Sequence, residues 1–346
     1  MTTSLAPTDE SIESLKGVAE RLLGVGAVAL ESIDGGRNSR VYKLQAPSGP
    51  YAFKTYFRHA SDSRARMDTE FESLTFLWQN GERNIPQPIA AAAQPDCAIY
   101  QWIDGERVSA GGVSEQHIDT ATAFLARLAA LKHQPGADRL RAASEACFSA
   151  AALVDCLRVR LEPLLAQTGF AELAAFLHHD LLPAIDSAAV RCREFLGDTF
   201  DRDLPLQSRT LSPSDFGFHN ALCRPDGALV FLDLEYFGWD DPVKMISDFL
   251  LHPGMTVSPA LKRVFAASLM REFPEAASRL PAFYPLFGLK WCLILLNEFL
   301  PDHLLRRKFA GMNERDREAR QSEQLAKSGS MLRVVLADDY RFPYGD

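Results

Sequence analysis

Apolar positions change their spacing twice along this chain. Residues 9 to 23 place Ile12, Leu15, Val18 and Leu22 at helical intervals, which predicts a short amphipathic helix. From Val28 the pattern shortens. Val28 to Ile33, Arg40 to Leu44 and Tyr51 to Tyr56 read as strands, divided by Asp34-Gly-Gly-Arg-Asn-Ser39 and by the turn Pro47-Ser-Gly-Pro50. Arg64 to Gln79 returns to helical spacing, with Phe71, Leu74, Leu77 and Trp78 apolar. Ile85-Pro-Gln-Pro88 breaks it, and two more short strands lead to Ile103.

After Asp104-Gly105 the pattern is mainly helical. Ile118, Ala121, Leu125, Leu128 and Leu131 line one face of Ser114 to His133, and residues 150–166 and 170–196 read as further helices. Two strand-like runs, Arg209 to Leu211 and Ala228 to Leu232, bracket a polar loop, and helix resumes after Asp241. The whole predicts an α+β fold in two parts, a β-rich region of residues 1–103 and a helical region of residues 104–346. The most apolar stretch, Trp291 to Leu296, is too short to span a bilayer.

Composition narrows the functional classes. The chain has 346 residues, of which 47% are hydrophobic, enough for a large core. Its formal net charge of −8 argues against a nucleic-acid partner and is compatible with a cationic ligand without requiring one. None of the six cysteines has C-x-x-C spacing, so reduced thiols in a cytoplasmic protein are expected. The polar, acidic start of the sequence does not read as a signal peptide, and no membrane partner is expected. Oligomeric state leaves no sequence signal here.

The candidate chemistry lies in Ser212-Pro-Ser-Asp-Phe-Gly-Phe-His-Asn220 and Leu229-Val-Phe-Leu-Asp-Leu-Glu235. Asp215 and Asn220 share one loop, and Asp233 closes the second strand-like run. Phosphoryl transfer to a hydroxyl needs a carboxylate to orient the hydroxyl and take its proton, together with oxygen ligands for Mg²⁺. An Asp, an Asn five residues later and a strand-ending Asp supply those groups.

This arrangement resembles the aminoglycoside phosphotransferase and choline kinase-like enzymes, whose fold is related to that of protein kinases. The resemblance implies a two-lobed protein kinase-like fold and an Mg-ATP-dependent transfer of phosphate to a small-molecule hydroxyl, with GTP an open alternative to ATP. It implies Asp215 as catalytic base, Asn220 and Asp233 as metal ligands, Glu235 as a further metal candidate, and a structural role for Asp248. Two segments depart from the family pattern. Pro213-Ser214 stands where the family has His-Gly, and Asp240 stands where it has the Gly of G-D-P. Asp215-Phe-Gly217 also spells the kinase metal motif, but Asn220 and Asp233 fit the catalytic-loop assignment better.

The N-terminal region adds nucleotide-binding candidates. Lys54 sits on a strand where kinases place a phosphate-contacting lysine, and Glu70 leads Glu72 as its helix partner, because Leu74 and Leu77 follow at family spacing. Gly35, Gly36 and Ser39 lie where a phosphate-covering loop belongs, and Gln101 and Ile103 lie in a segment that resembles the adenine-holding hinge. Asp241 follows Asp233 at an offset of only eight, too short for a peptide-docking activation segment, so a small acceptor is expected. Asp240, Trp291 and Glu298 are the acceptor-binding candidates, with Trp291, Leu295 and Glu298 on one helical face. The acceptor class stays open between an amino alcohol, a sugar and an aminoglycoside. His219 is expected to stabilise the loop, and Arg306-Arg-Lys308 to be a solvated helix end. Two other readings remain: a kinase-fold nucleotide-binding protein without kinase activity, and a nucleotidyl transferase.

Overall fold

Ser11 caps the first helix, α1 (Ile12–Leu23), by accepting the Ser14 N–H, and Gly24 ends it at φ 67°, a left-handed conformation that a Cβ disfavours. The computed structural model describes residues 11–33, 39–57, 64–109, 111–301, 303, 317–337 and 342–345. Gly35, Gly36 and the run from Arg306 to Lys308 lie outside the described residues.

The chain folds as two units. The first takes the residues up to Glu106 together with Ala221–Tyr236. Its sheet consists of β1 (Ala29–Ile33), β2 (Ser39–Ala46), β3 (Gly49–Tyr56), β4 (Pro88–Ala93) and β5 (Asp96–Gln101), in the order β1-β2-β3-β5-β4. All neighbours are antiparallel, and the register sets Lys54 on β3 between Val41 and Ala98. Leu15, Val18 and Ala19 of α1 close one core with Tyr42, Leu44, Phe53, Cys97 and Ile99. Ile12 is left 51% exposed, so the packed stripe of α1 is shorter than its apolar pattern. The second helix, α2 (Arg66–Gln79), buries Met67, Leu74, Phe76 and Leu77, and with them the charged Glu70.

A short strand, β6 (Glu106–Arg107), carries the unit boundary. Strand β7 (Thr210–Ser212) belongs to the second unit, whereas β8 (Ala221–Cys223) and β9 (Leu229–Phe231) pair antiparallel within the first. Asn84 explains this placement. Its Nδ2 donates to the Leu229 carbonyl at 2.7 Å, and its own carbonyl accepts the Phe231 N–H at 2.7 Å. A single division at residue 103 therefore misses that 221–236 belongs to the first unit, because Asn84, its bonding partner there, lies far away in sequence.

The second unit is helical: α3 (Glu115–Leu131), α4 (Ala150–Leu165), α5 (Ala171–Phe176), α6 (Leu182–Leu196), α7 (Pro242–Leu251), α8 (Pro259–Glu272), α9 (Pro274–Leu295) and α10 (Arg317–Ala337). The stretch 170–196 is not one uniform helix. Pro183 has no N–H to donate, and a π-turn at Leu177–Leu181 joins α5 to α6. β7 pairs antiparallel with β10 (Gly238–Asp240), so the catalytic-type loop starts from a fixed strand. Phe124, Phe216, Phe249 and Phe265 form a chain of ring contacts at 5.7, 6.0 and 3.7 Å between centroids. Phe216 is thereby anchored in the core beside Asp215. Pro274–Phe299 is long and apolar enough to cross a membrane, yet 78% of its most apolar window is buried, as in a core helix.

Candidate functional site

In the first unit, β3 alternates so that Ala52, Lys54 and Tyr56 share a face. Lys54 Nζ meets Glu70 Oε2 at 2.7 Å and Asp233 Oδ1 at 2.5 Å, with Glu235 Oε2 at 3.6 Å. The lysine and Glu70 are nearly enclosed, while Asp233 is 41% exposed. Burial alone would lower the Lys54 pKa, but Asp233, Glu70 and Glu235 carry it well above its ordinary value. The charge is therefore permanent, and it is held in place. Tyr56 adds to this by donating its hydroxyl to Glu70 Oε2 at 2.7 Å and meeting the Tyr100 hydroxyl at 2.7 Å. Glu72, the rival on α2, is exposed.

Asp233 follows β9 at φ 64°, a left-handed conformation rare outside glycine and tolerated by Asp. That bend turns the chain so that Glu235, two residues on, is buried against Arg66 Nε at 3.5 Å. Burial and the neighbouring Asp233 push the Glu235 carboxyl up to about 7. Glu70, Asp233 and Glu235 bring carboxylate oxygens within 4.8 Å of one another, a hard-oxygen set suited to Mg²⁺.

In the second unit, the loop after β7 is built around Asp215. Its side chain is 36% exposed. Oδ1 lies 3.1 Å from His219 Nε2 and 3.1 Å from His252 Nε2. The two imidazoles stack, with centroids 3.8 Å apart and planes 10° from parallel. Burial alone would raise the Asp215 pKa, but the hydrogen bonds from His219 and His252 hold it well below the usual carboxylate range. Asn220 ends a 3₁₀ turn, Phe218–Asn220. Its Nδ2 donates to the Asp215 carbonyl at 3.1 Å, which leaves its Oδ1 as a hard ligand for a cation.

A family model described as the phosphotransferase enzyme family matches residues 29–267, well over half of the chain. The chain belongs to that family. It is a phosphotransferase-family protein with a kinase-like fold. Solved structures show the same fold at low identity. Choline kinase from Cryptosporidium parvum Iowa II is 12% identical with TM-score 0.60, covering 95% of this chain and 98% of that one. Choline kinase LicA from Streptococcus pneumoniae is 15% identical with TM-score 0.60, covering 93% and 98%. The gentamicin complex of APH(2")-IIa is 16% identical with TM-score 0.61, covering 97% and 100%. No curated protein matches the sequence.

The two departures from the family pattern are physically linked in this phosphotransferase. Ser214 stands in place of a glycine and adopts φ 66°, where glycine would be at ease. Hydrogen bonds replace that freedom. The Ser214 N–H donates to Ser212 Oγ at 3.0 Å, its hydroxyl donates to the Ser144 carbonyl at 3.2 Å, and it accepts from Lys244 Nζ at 2.7 Å. Lys244 is buried, and its Nζ also binds Asp240 Oδ2 at 2.8 Å and Asp248 Oδ2 at 3.3 Å. Asp240, the other departure, is thus the counter-charge of the lysine that holds Ser214. Lys244→Met should lower stability by about 3–5 kcal/mol, read from the urea midpoint, because two buried carboxylates lose their cation.

This geometry corrects several expectations. Asp240 is fully buried, with Oδ2 on Lys244 and Oδ1 on the Asp241 N–H, so it is not placed to bind an acceptor. Glu298 is not on the Trp291 face of α9. The α-helix ends at Leu295, and Glu298 lies buried in the 3₁₀ turn Leu296–Phe299, whose carbonyl at 298 accepts from Gln321 of α10. The Gln101 N–H is already bonded to the Gln87 carbonyl at 2.8 Å and is not available to a purine. Trp291 does approach the Asp215 cluster. Its ring meets His252 edge-on at 4.7 Å, and its Nε1 donates to Asp248 at 3.0 Å. His252 was not singled out in the sequence, because it lies 37 residues beyond Asp215 in no recognisable motif.

Gly217 carries a further prediction. A Cβ there would come within 2.3 Å of Met255 Sδ and 2.9 Å of His219 Nδ1. Gly217→Ala should displace His219 and cut turnover by about a hundredfold, measured as kcat with Mg-ATP.

Proposed function

We propose that this phosphotransferase moves the γ-phosphate of Mg-ATP to a hydroxyl of a small, soluble acceptor in the cytoplasm. The observation that carries the reading is Lys54, a buried cation tethered by Glu70 beside the half-exposed Asp233. Such a group is held ready for nucleotide phosphates. In the first unit Asp233 and, secondarily, Glu235 would hold Mg²⁺, which when bound neutralises charge on the phosphates; in the second, Asn220 Oδ1 offers a further hard ligand of the kind Mg²⁺ takes. Asp215 orients the acceptor hydroxyl and receives its proton late, which suits a carboxylate whose basicity is weakened by two donors. Six free cysteines agree with a reducing compartment.

Related structures carry choline kinase, ethanolamine kinase and aminoglycoside phosphotransferase names, so amino alcohols, sugars and aminoglycosides are the acceptors to try first. Trp291 supports an acceptor with an apolar or cationic face, since its ring lies half-exposed next to the His252–Asp215 pair. The test is product mass after incubation with Mg-ATP and that panel. A gain of one phosphate on the acceptor supports the reading; transfer of a nucleotidyl group, or binding of Mg-ATP with no product from any acceptor or from water, overturns it.

A further inference from the structure

His252 lies outside every motif of the catalytic loop and yet touches the carboxylate at its centre. The segment His252-Pro-Gly-Met255 follows α7 and closes over the loop at two points. The Phe218 N–H donates to Met255 Sδ at 3.1 Å, and His252 Nε2 meets Asp215 Oδ1 at 3.1 Å. The other ring nitrogen settles the chemistry. His252 Nδ1 accepts the Gly254 N–H at 3.0 Å, so Nδ1 carries no proton, and in the neutral ring Nε2 does. His252 is therefore a donor to Asp215. His219 Nε2 meets the same oxygen, and its Nδ1 is buried without a hydrogen-bond partner.

The same tautomer argues against a transition metal at Asp215, His219 and His252, although their ligand atoms lie within 4.8 Å of one another. Ligation through His252 Nε2 would move the proton to Nδ1, where it would face the Gly254 N–H. A metal-bound histidine needs an acceptor at its second nitrogen. Here that position holds a donor.

Resting on the phosphoryl-transfer reading above, we propose that His252 is a positioning residue for Asp215. Two N–H groups, from His219 on the loop and His252 beyond α7, occupy Oδ1 and fix the carboxylate plane. Oδ2 remains as the oxygen that meets the acceptor hydroxyl. His219 shares the loop's own movements, because it is four residues from Asp215. His252 ties the carboxylate to the helical core through α7 and through the edge-on ring of Trp291. The acceptor-facing oxygen is thus set from outside the loop that carries it.

The test uses the full chain. Long-range ¹H–¹⁵N spectra of the wild type should show the His252 ring neutral and protonated at Nε2, with that signal shifted in Asp215→Asn. His252→Ala should lower kcat for Mg-ATP turnover by about a hundredfold with the Mg-ATP dissociation constant unchanged. His252→Gln, which keeps an N–H at a similar reach, should recover most of the loss. A His252 ring protonated at Nδ1 would overturn the proposal even if the variants fail to fold. So would wild-type kcat in His252→Ala, or a Gln variant no better than Ala, which would reduce the residue to bulk packing. A wild type that binds Mg-ATP and never consumes it is a separate failure: it removes the reaction itself, and is told apart because it appears before any substitution is made.

Discussion

Asp215→Ala is expected to cut turnover by about 10²- to 10⁴-fold while Mg-ATP still binds with near wild-type affinity. The carboxylate is 36% exposed, so its loss leaves little cavity and no buried charge. The nucleotide-type contacts at Lys54 belong to another part of the chain and should be untouched. Equilibrium binding of Mg-ATP and single-turnover kinetics separate the two effects. Normal turnover in the variant would remove Asp215 from the mechanism. The wild type carries a related expectation in pH. Hydrogen bonds from His219 and His252 depress the folded-state pKa, so Asp215 remains ionised as pH falls toward about 4, where an ordinary aspartate begins to protonate. Any acid limb of the rate profile above that pH should therefore come from a group other than Asp215.

Asp233→Asn should be comparably severe for a different reason. The substitution is nearly isosteric, but it removes a charge that lies 2.5 Å from Lys54 and that would serve as an anionic ligand for Mg²⁺. Loss of one metal carboxylate should reduce turnover by about a thousandfold and shift the Mg²⁺ titration to higher concentration. The substitution also relieves Glu235, whose carboxyl is held near 7 by burial and by Asp233, so its pKa should fall in the variant. Proton uptake or release on Mg-ATP binding, followed calorimetrically in two buffers, would register that change. An unaltered Mg²⁺ dependence would mean that the metal is held without Asp233.

Much of the chemistry was legible in the sequence because it is local. Asp215 and Asn220 are five residues apart, and one loop with a 3₁₀ turn places both. Lys54 could be assigned to a strand by alternation, and Glu70 was preferred to Glu72 because Leu74 and Leu77 follow it as in the family it resembles. The α+β organisation was legible for the same reason, since strand and helix periods differ within short windows, and its kinase-like character followed from the family resemblance of the catalytic-type loop.

The rest depended on contacts between residues far apart. Asp240 looked like a polar group open to an acceptor, but Lys244 is one helical turn away and the fold buries both. Glu298 continued a helical face only while α9 was assumed to continue; the 3₁₀ turn changed its direction. The sequence by itself determined which groups are candidates for the chemistry, the strand and helix that bear Lys54 and Glu70, and the loop that bears Asp215 and Asn220. Tertiary structure alone decided that Ser214 and Asp240 are two ends of one Lys244 network, and that His252 reaches Asp215 across 37 residues. Periodicity encodes which face of an element is apolar; it carries no record of which distant side chain completes a hydrogen bond once those faces are packed.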